Sequence, residues 1–181
     1  MSFTCSICAQ EHPGPPTAYS STAPARWFEL TEEQMGGSTL DGDMCSIGAG
    51  DEREFFLRAN VELEVTGALD PLVFSAWVKL SPEDMARIVQ RWELPERDSD
   101  PAYLGVLAND LPGYPQTIGL DVEIHTGEVG KRSRAVITPA DHPLADQQWE
   151  GMTPEQVQGI AEVLAHPTGP LGAADPDTGT G

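Results

Sequence analysis

The sequence predicts an α+β domain built on a mainly antiparallel sheet of about five strands, with two principal helices packed on one face and an irregular, zinc-clipped N-terminal lobe. Three observations carry that prediction. Residues 55–65 alternate apolar and polar with a period of two. Two later segments carry helix caps followed by apolar residues at helical spacing. Residues 1–50 are broken by Pro13, Pro15, Pro16, Pro24, Gly36, Gly37, Gly42 and Gly48, too many breakers for any long helix or strand.

The elements follow in order. Within the broken lobe, Trp27, Phe28 and Leu30 offer apolar anchors, and Thr31 with Gln34 has capping-box spacing, which predicts one helical turn over 32–35 ended by Gly36. Leu57, Ala59, Val61, Leu63 and Val65 then alternate with Arg58, Asn60, Glu62 and Glu64, giving a strand with one dry face. A turn over 66–71 leads to a second strand over 72–80, in which Phe74, Ala76, Val78 and Leu80 share a face, and the two strands pair as a hairpin. Ser81 caps a helix that carries Pro82 in its first turn, Met85, Ile88, Val89 and Trp92 on one stripe, and Pro95 as its stop. After a charged surface loop over 93–102, the apolar run 103–108 reads as a short buried strand.

Residues 111–115, Leu-Pro-Gly-Tyr-Pro, form a rigid turn. Leu120, Val122 and Ile124 alternate with Asp121, Glu123 and His125, and Ala135 and Ile137 flank Val136 beyond Arg134, so two further strands meet across 126–130. Lys131, Arg132 and Arg134 lie opposite Asp121, Glu123 and Glu128; the reading is cross-strand pairing worth roughly 0.2–1 kcal/mol each, rather than a phosphate or carboxylate site. Thr153, Pro154 and Gln156 repeat the cap signature before a last amphipathic helix bearing Val157, Ile160, Ala161 and Leu164, ended by Pro167. The predicted organisation is a lobe over 1–50 packed on a body over 51–167, with 168–181 a disordered tail too polar to offset its ordering entropy.

Composition bounds the partners. The 181 residues include 10 Lys and Arg against 29 Asp and Glu, a formal charge of −19, which repels phosphate backbones and anionic lipid. Another protein is therefore the expected partner, not nucleic acid or membrane. No secretory leader and no apolar stretch of about 18 residues is present, which predicts a cytoplasmic location. The 3 cysteines cannot all pair internally, so reduced or metal-bound thiols fit better than a disulfide scaffold.

Cys5 and Cys8, with two residues between them, have the spacing with which a tight turn brings two thiolates to one zinc ion, and His12 and Cys45 complete the predicted tetrahedral set. Apparent binding energies of about 10–16 kcal/mol would suffice to order a breaker-rich segment without a core. Any of His125, His142 and His166 is a substitute for the fourth place. A redox pair at Cys5 and Cys8, or thiols with no ligating role, are the competing readings; only four residues precede Cys5 and Pro13 follows too soon for the helix a redox motif opens.

No glycine-rich phosphate loop, nucleophile elbow or paired-histidine helix appears. The leading functional reading is a non-enzymatic binding or regulatory module with a structural zinc. Two alternatives are a hydrolase-like enzyme using Asp141 and His142, and an acidic immunity or inhibitor protein that masks a basic partner.

Phe3-Thr-Cys5-Ser-Ile-Cys8 with His12, Asp43-Met-Cys45, Phe55-Phe56-Leu-Arg58, Trp77-Val-Lys-Leu-Ser81, residues 111–115 and Asp141-His-Pro-Leu144 together resemble the bacterial family catalogued as domain of unknown function 2199. The likeness runs from about residue 3 to residue 165 and implies a small cytoplasmic bacterial protein of one domain, with no activity attached. One departure stands out: the residue expected to be glycine after the second cysteine is Ala9, which costs about 1–2 kcal/mol if the backbone there is left-handed.

Overall fold

The computed structural model describes residues 2–139 and 141–166. Its ten strands are β1 (Ser2–Thr4), β2 (Glu11–Pro13), β3 (Ala18–Ser20), β4 (Thr39–Leu40), β5 (Met44–Ile47), β6 (Glu54–Leu63), β7 (Leu72–Leu80), β8 (Tyr103–Leu107), β9 (Asp121–His125) and β10 (Ser133–Ile137). The helices are α1 (Glu32–Gly36), α2 (Pro82–Arg91), α3 (Pro143–Glu150) and α4 (Pro154–Ala165). The predicted tail over 168–181 lies outside the described residues, as does Pro167.

The α+β class stands, and the sheet closes on itself. The β6–β7 hairpin is in register from Phe55↔Leu80 to Leu63↔Leu72, β7, β8, β9 and β10 continue antiparallel, and β10 returns to pair β6 in parallel at Ser133↔Ala59 and Arg134↔Asn60. Five strands in an up-and-down path leave the last running in the same direction as the first, so closure of an odd meander has to be parallel. Closure removes two free edges that the twist of a flat five-stranded sheet would leave exposed. Gly105 permits a tight approach on β8: a Cβ there would stand 2.6 Å from the Lys79 carbonyl oxygen.

Alternation in β6 and β7 sends Leu57, Ala59, Val61, Leu63, Phe74, Ala76 and Val78 into one core, joined by Val122, Ile124, Ala135 and Ile137. With a closed sheet, the helices do not lie on one open face; Met85 and Ile88 of α2, Leu144 of α3, and Val157 and Ile160 of α4 all enter that same core. Ser81 and Thr153 cap α2 and α4 through their hydroxyls, and the Thr31–Gln34 capping box opens α1. Gly113 seats α4, since its φ is +85° and a Cβ there would stand 2.6 Å from Ile160 Cγ1, which leaves no room for a side chain. The stripes are narrower than their spacing predicts: Val89 and Leu164 are exposed. So is Leu104, in a strand expected to be buried throughout.

The irregular lobe is more ordered than predicted. β3 pairs β7 in parallel, and β4 and β5 extend the sheet from β6. Residues 18–50 also have a core of their own, in which Cys45, Ile47, Phe56 and Trp77 are buried and Trp27, Leu30 and Leu40 pack against them. Only β1 and β2 form a separate two-stranded sheet. No described helix is long and apolar enough to cross a membrane.

Candidate metal centre

The turn between β1 and β2 is tightened by backbone bonds from Cys5 N–H to the Gln10 carbonyl (2.8 Å) and from Ala9 N–H to the Cys5 carbonyl (3.0 Å). Ala9 sits at φ +58°, and among the described residues no other non-glycine has a positive φ. The left-handed position that favours glycine is therefore real, and the alanine carries its strain. This turn directs Cys5 and Cys8 to one side, and antiparallel pairing of β2 with β1 brings His12 back beside them, with its ring stacked on Phe3.

His166 supplies the fourth donor, from the residue that ends α4. The ligand atoms of Cys5, Cys8, His12 and His166 all lie within 4.8 Å of one another, and Cys8 Sγ is 3.2 Å from His12 Nε2. Bonds of about 2.0–2.3 Å to a tetrahedral zinc place donors roughly 3.3–3.8 Å apart, so a small contraction of this cluster meets the requirement. The His12 and His166 rings meet edge to face at 5.4 Å. His166 Nε2 is buried without a hydrogen-bond partner among the described residues, which is the condition of a donor awaiting an electrophile.

The knuckle is also tied to α4 through Glu162. Its carboxylate accepts from Ser6 N–H (2.9 Å) and from the Ser6 hydroxyl, while the Gln158 amide donates to it at 2.9 Å. The Ser6 hydroxyl, followed by the Gln158 amide and the Ser6 N–H, holds this carboxyl below its ordinary range. A buried carboxylate on the apolar side of a helix thus has a stated use: it fixes the distance between the cysteine turn and His166.

Cys45, predicted as a ligand, stands outside the group formed by Cys5, Cys8, His12 and His166. It lies in β5 opposite Phe56, is 1% exposed in the second core, and its thiol is pushed up to about 12 by burial and then by Asp41. Packed among Ile47, Phe56 and Trp77, it behaves as a small apolar side chain. Strand parity puts Cys45 and Ile47 on one face of β5, packed with Trp77.

The remaining predicted site residues lie elsewhere. His142 is the N-cap of α3, and its Nδ1 accepts the Leu144 N–H at 3.1 Å, so the ring's one basic nitrogen is already occupied and Nε2 is enclosed without a partner. Asp141 is exposed. Among the described residues no hydrogen bond joins Asp141 to the His142 ring. His125 stands on the outer face of β9, 3.6 Å from Glu123. Of the predicted hairpin charges, Lys131 pairs with Glu128 at 2.8 Å, whereas Arg132 reaches Asp43 at 2.9 Å.

The helix α3 was not legible, because histidine is an uncommon cap and Leu144 is the one buried residue of its eight. His166 was visible only as one of three spare histidines. Its sequence signal is position: the residue after a capped helix, with a carboxylate one turn earlier.

Comparison with known proteins places the chain in a family. The model of a family described as an uncharacterized protein conserved in bacteria (DUF2199) covers residues 4–152, and the chain belongs to this family. The matched span contains Cys5, Cys8 and His12 and stops before α4 and His166. No curated protein and no solved structure matches the chain.

Proposed function

We propose that the protein is a non-enzymatic binding module whose N-terminal knuckle and last helix are stapled together by one structural zinc ion held by Cys5, Cys8, His12 and His166. The observation that carries this reading is the convergence of four donors from residues 5–12 and 166 on one point, with an unpartnered buried nitrogen among them. Two sulfurs and two imidazole nitrogens in tetrahedral reach form a donor set that suits zinc. Two thiolates neutralise the dication, so the staple adds no charge to the surface. The zinc would order the cysteine turn and fix the end of α4; the chain's own residues do the rest through Ser6 and Glu162.

Metal analysis of the full-length protein tests the staple. About one equivalent of zinc is expected after purification in zinc-supplemented buffer, with loss in Cys5→Ser and Cys8→Ser, weakened retention in His166→Ala, and no change in Cys45→Ala. Less than about half an equivalent in the wild type, or zinc loss in Cys45→Ala, would remove the reading.

A further inference from the structure

On the barrel wall far in sequence from the knuckle, β10 and β6 share only the pairs Ser133↔Ala59 and Arg134↔Asn60 before they part. Parted parallel strands leave main-chain groups without a ladder partner, and one side chain answers that need. The Gln148 amide of α3 accepts from Ile137 N–H at 2.7 Å and donates to the Ala135 carbonyl at 2.9 Å, and it also reaches the Glu62 carbonyl at 3.5 Å. This clamp locks α3 over the open seam, and the next residue, Trp149, is turned outward and 92% exposed.

Trp149 stands at the rim of a cavity of about 550 Å³ between the parted strands and α3. Its apolar lining includes Val136, Ile137 and Ala145; its charged lining is Glu62, Glu64, Asp146 and Glu150 against Arg134. Leu69 is still more exposed, yet it lies on the turn between β6 and β7 rather than beside such a lining. An exposed indole next to an excess of carboxylates over an apolar base has a recognisable complement. A guanidinium or ammonium stacks on the indole face and donates hydrogen bonds to the carboxylates, while its alkyl stem and apolar neighbours cover the base.

We infer that this cleft is a docking site for an extended segment of a partner protein that inserts an Arg or Lys side chain against Trp149. The choice of occupant follows from charge complementarity at the cleft and from a room that exceeds one side chain. The inference rests on the binding-module reading and gives it a face and a partner chemistry; it does not depend on the zinc staple.

Titration calorimetry on the full-length protein tests it, with a blocked peptide of alternating Arg and Leu as probe, its Glu counterpart and spermidine as controls. Binding of the Arg peptide is expected to weaken about tenfold in Trp149→Ala and at least about fivefold in Glu62→Gln/Glu150→Gln. Glu32→Gln/Glu33→Gln, which removes the same charge from α1, should change it less than about twofold. Because Trp149 is exposed, its truncation leaves the fold intact. Wild-type affinity in Trp149→Ala, an equal loss in the α1 variant, spermidine binding as tight as the peptide's, or no binding by zinc-loaded wild type would each overturn the cleft. Peptide binding by a wild type that holds less than about half an equivalent of zinc would remove the staple and leave the cleft, whereas a zinc-loaded wild type that binds no peptide would remove the cleft and leave the staple.

Discussion

Residues 18–50 and residues 2–13 both belong to the breaker-rich first 50 residues and both lie outside the barrel, yet they are held differently. The first segment adds strands to the sheet and buries Cys45 and Ile47 against Phe56 and Trp77. The second makes its own two-stranded sheet and meets the body at the end of α4, through Ser6 with Glu162 and His12 with His166. One is a satellite of the hydrophobic core; the other is tied on by polar side chains, where the proposed zinc would add a crosslink. A breaker-rich composition says that a segment cannot order itself, and does not say whether apolar burial or ligation will do it.

The largest expected effect breaks the crosslink alone. If the proposed zinc is stripped with a chelator, an apparent binding energy of about 10–16 kcal/mol is withdrawn from the knuckle. Amide exchange should then rise in residues 2–13 and in the last turn of α4 while β3, β4 and β5 stay protected; loss of protection across 18–50 would mean that the two regions are one unit.

The converse experiment strikes the satellite core. Trp77 is fully buried and donates its indole N–H to the Ser21 carbonyl at 3.2 Å. Trp77→Ala should cost about 3–5 kcal/mol in urea unfolding, with zinc content unchanged under native conditions. Cys45→Ser places a hydroxyl where a neutral thiol packs and should cost about 1–3 kcal/mol, again with the metal retained. Zinc loss in either variant would contradict the separation.

Smaller still is Ala9→Gly, which relieves the left-handed alanine at φ +58° and should stabilise the knuckle by about 1 kcal/mol, read as tighter zinc retention. The smallest effect supplies a reference point away from both regions. Asp100 accepts from Arg91 Nε at 2.7 Å and from the Tyr103 hydroxyl at 3.1 Å, and the Arg91 bond first holds its carboxyl below the ordinary range. A depressed folded-state pKa contributes stability that is present above the unfolded value of about 3.9 and is lost as pH falls through the folded value. Acid unfolding curves of Asp100→Asn should therefore be flatter below about pH 4 than those of the wild type, without altering the behaviour of either outer segment.

What the sequence determined by itself was everything set by neighbours a few residues apart. The period of two in β6 and β7, the Ser81, Thr31 and Thr153 caps, and the pairing of Cys5 with Cys8 are local facts, because strand alternation, cap hydrogen bonds and a ligating turn all close within a handful of residues. Where local signal was weak, the reading failed: α3 has a histidine cap and one buried residue, so nothing in its own composition marks it.

Only the tertiary structure decided that the sheet closes, that Cys45 faces Trp77, and that His166 joins the cysteines. Each of these depends on which distant segments meet. A shift of one residue in β5 would turn Cys45 to the other face of the sheet, and α4 presents His166 to the knuckle only because Gly113 and the barrel core fix where that helix lies.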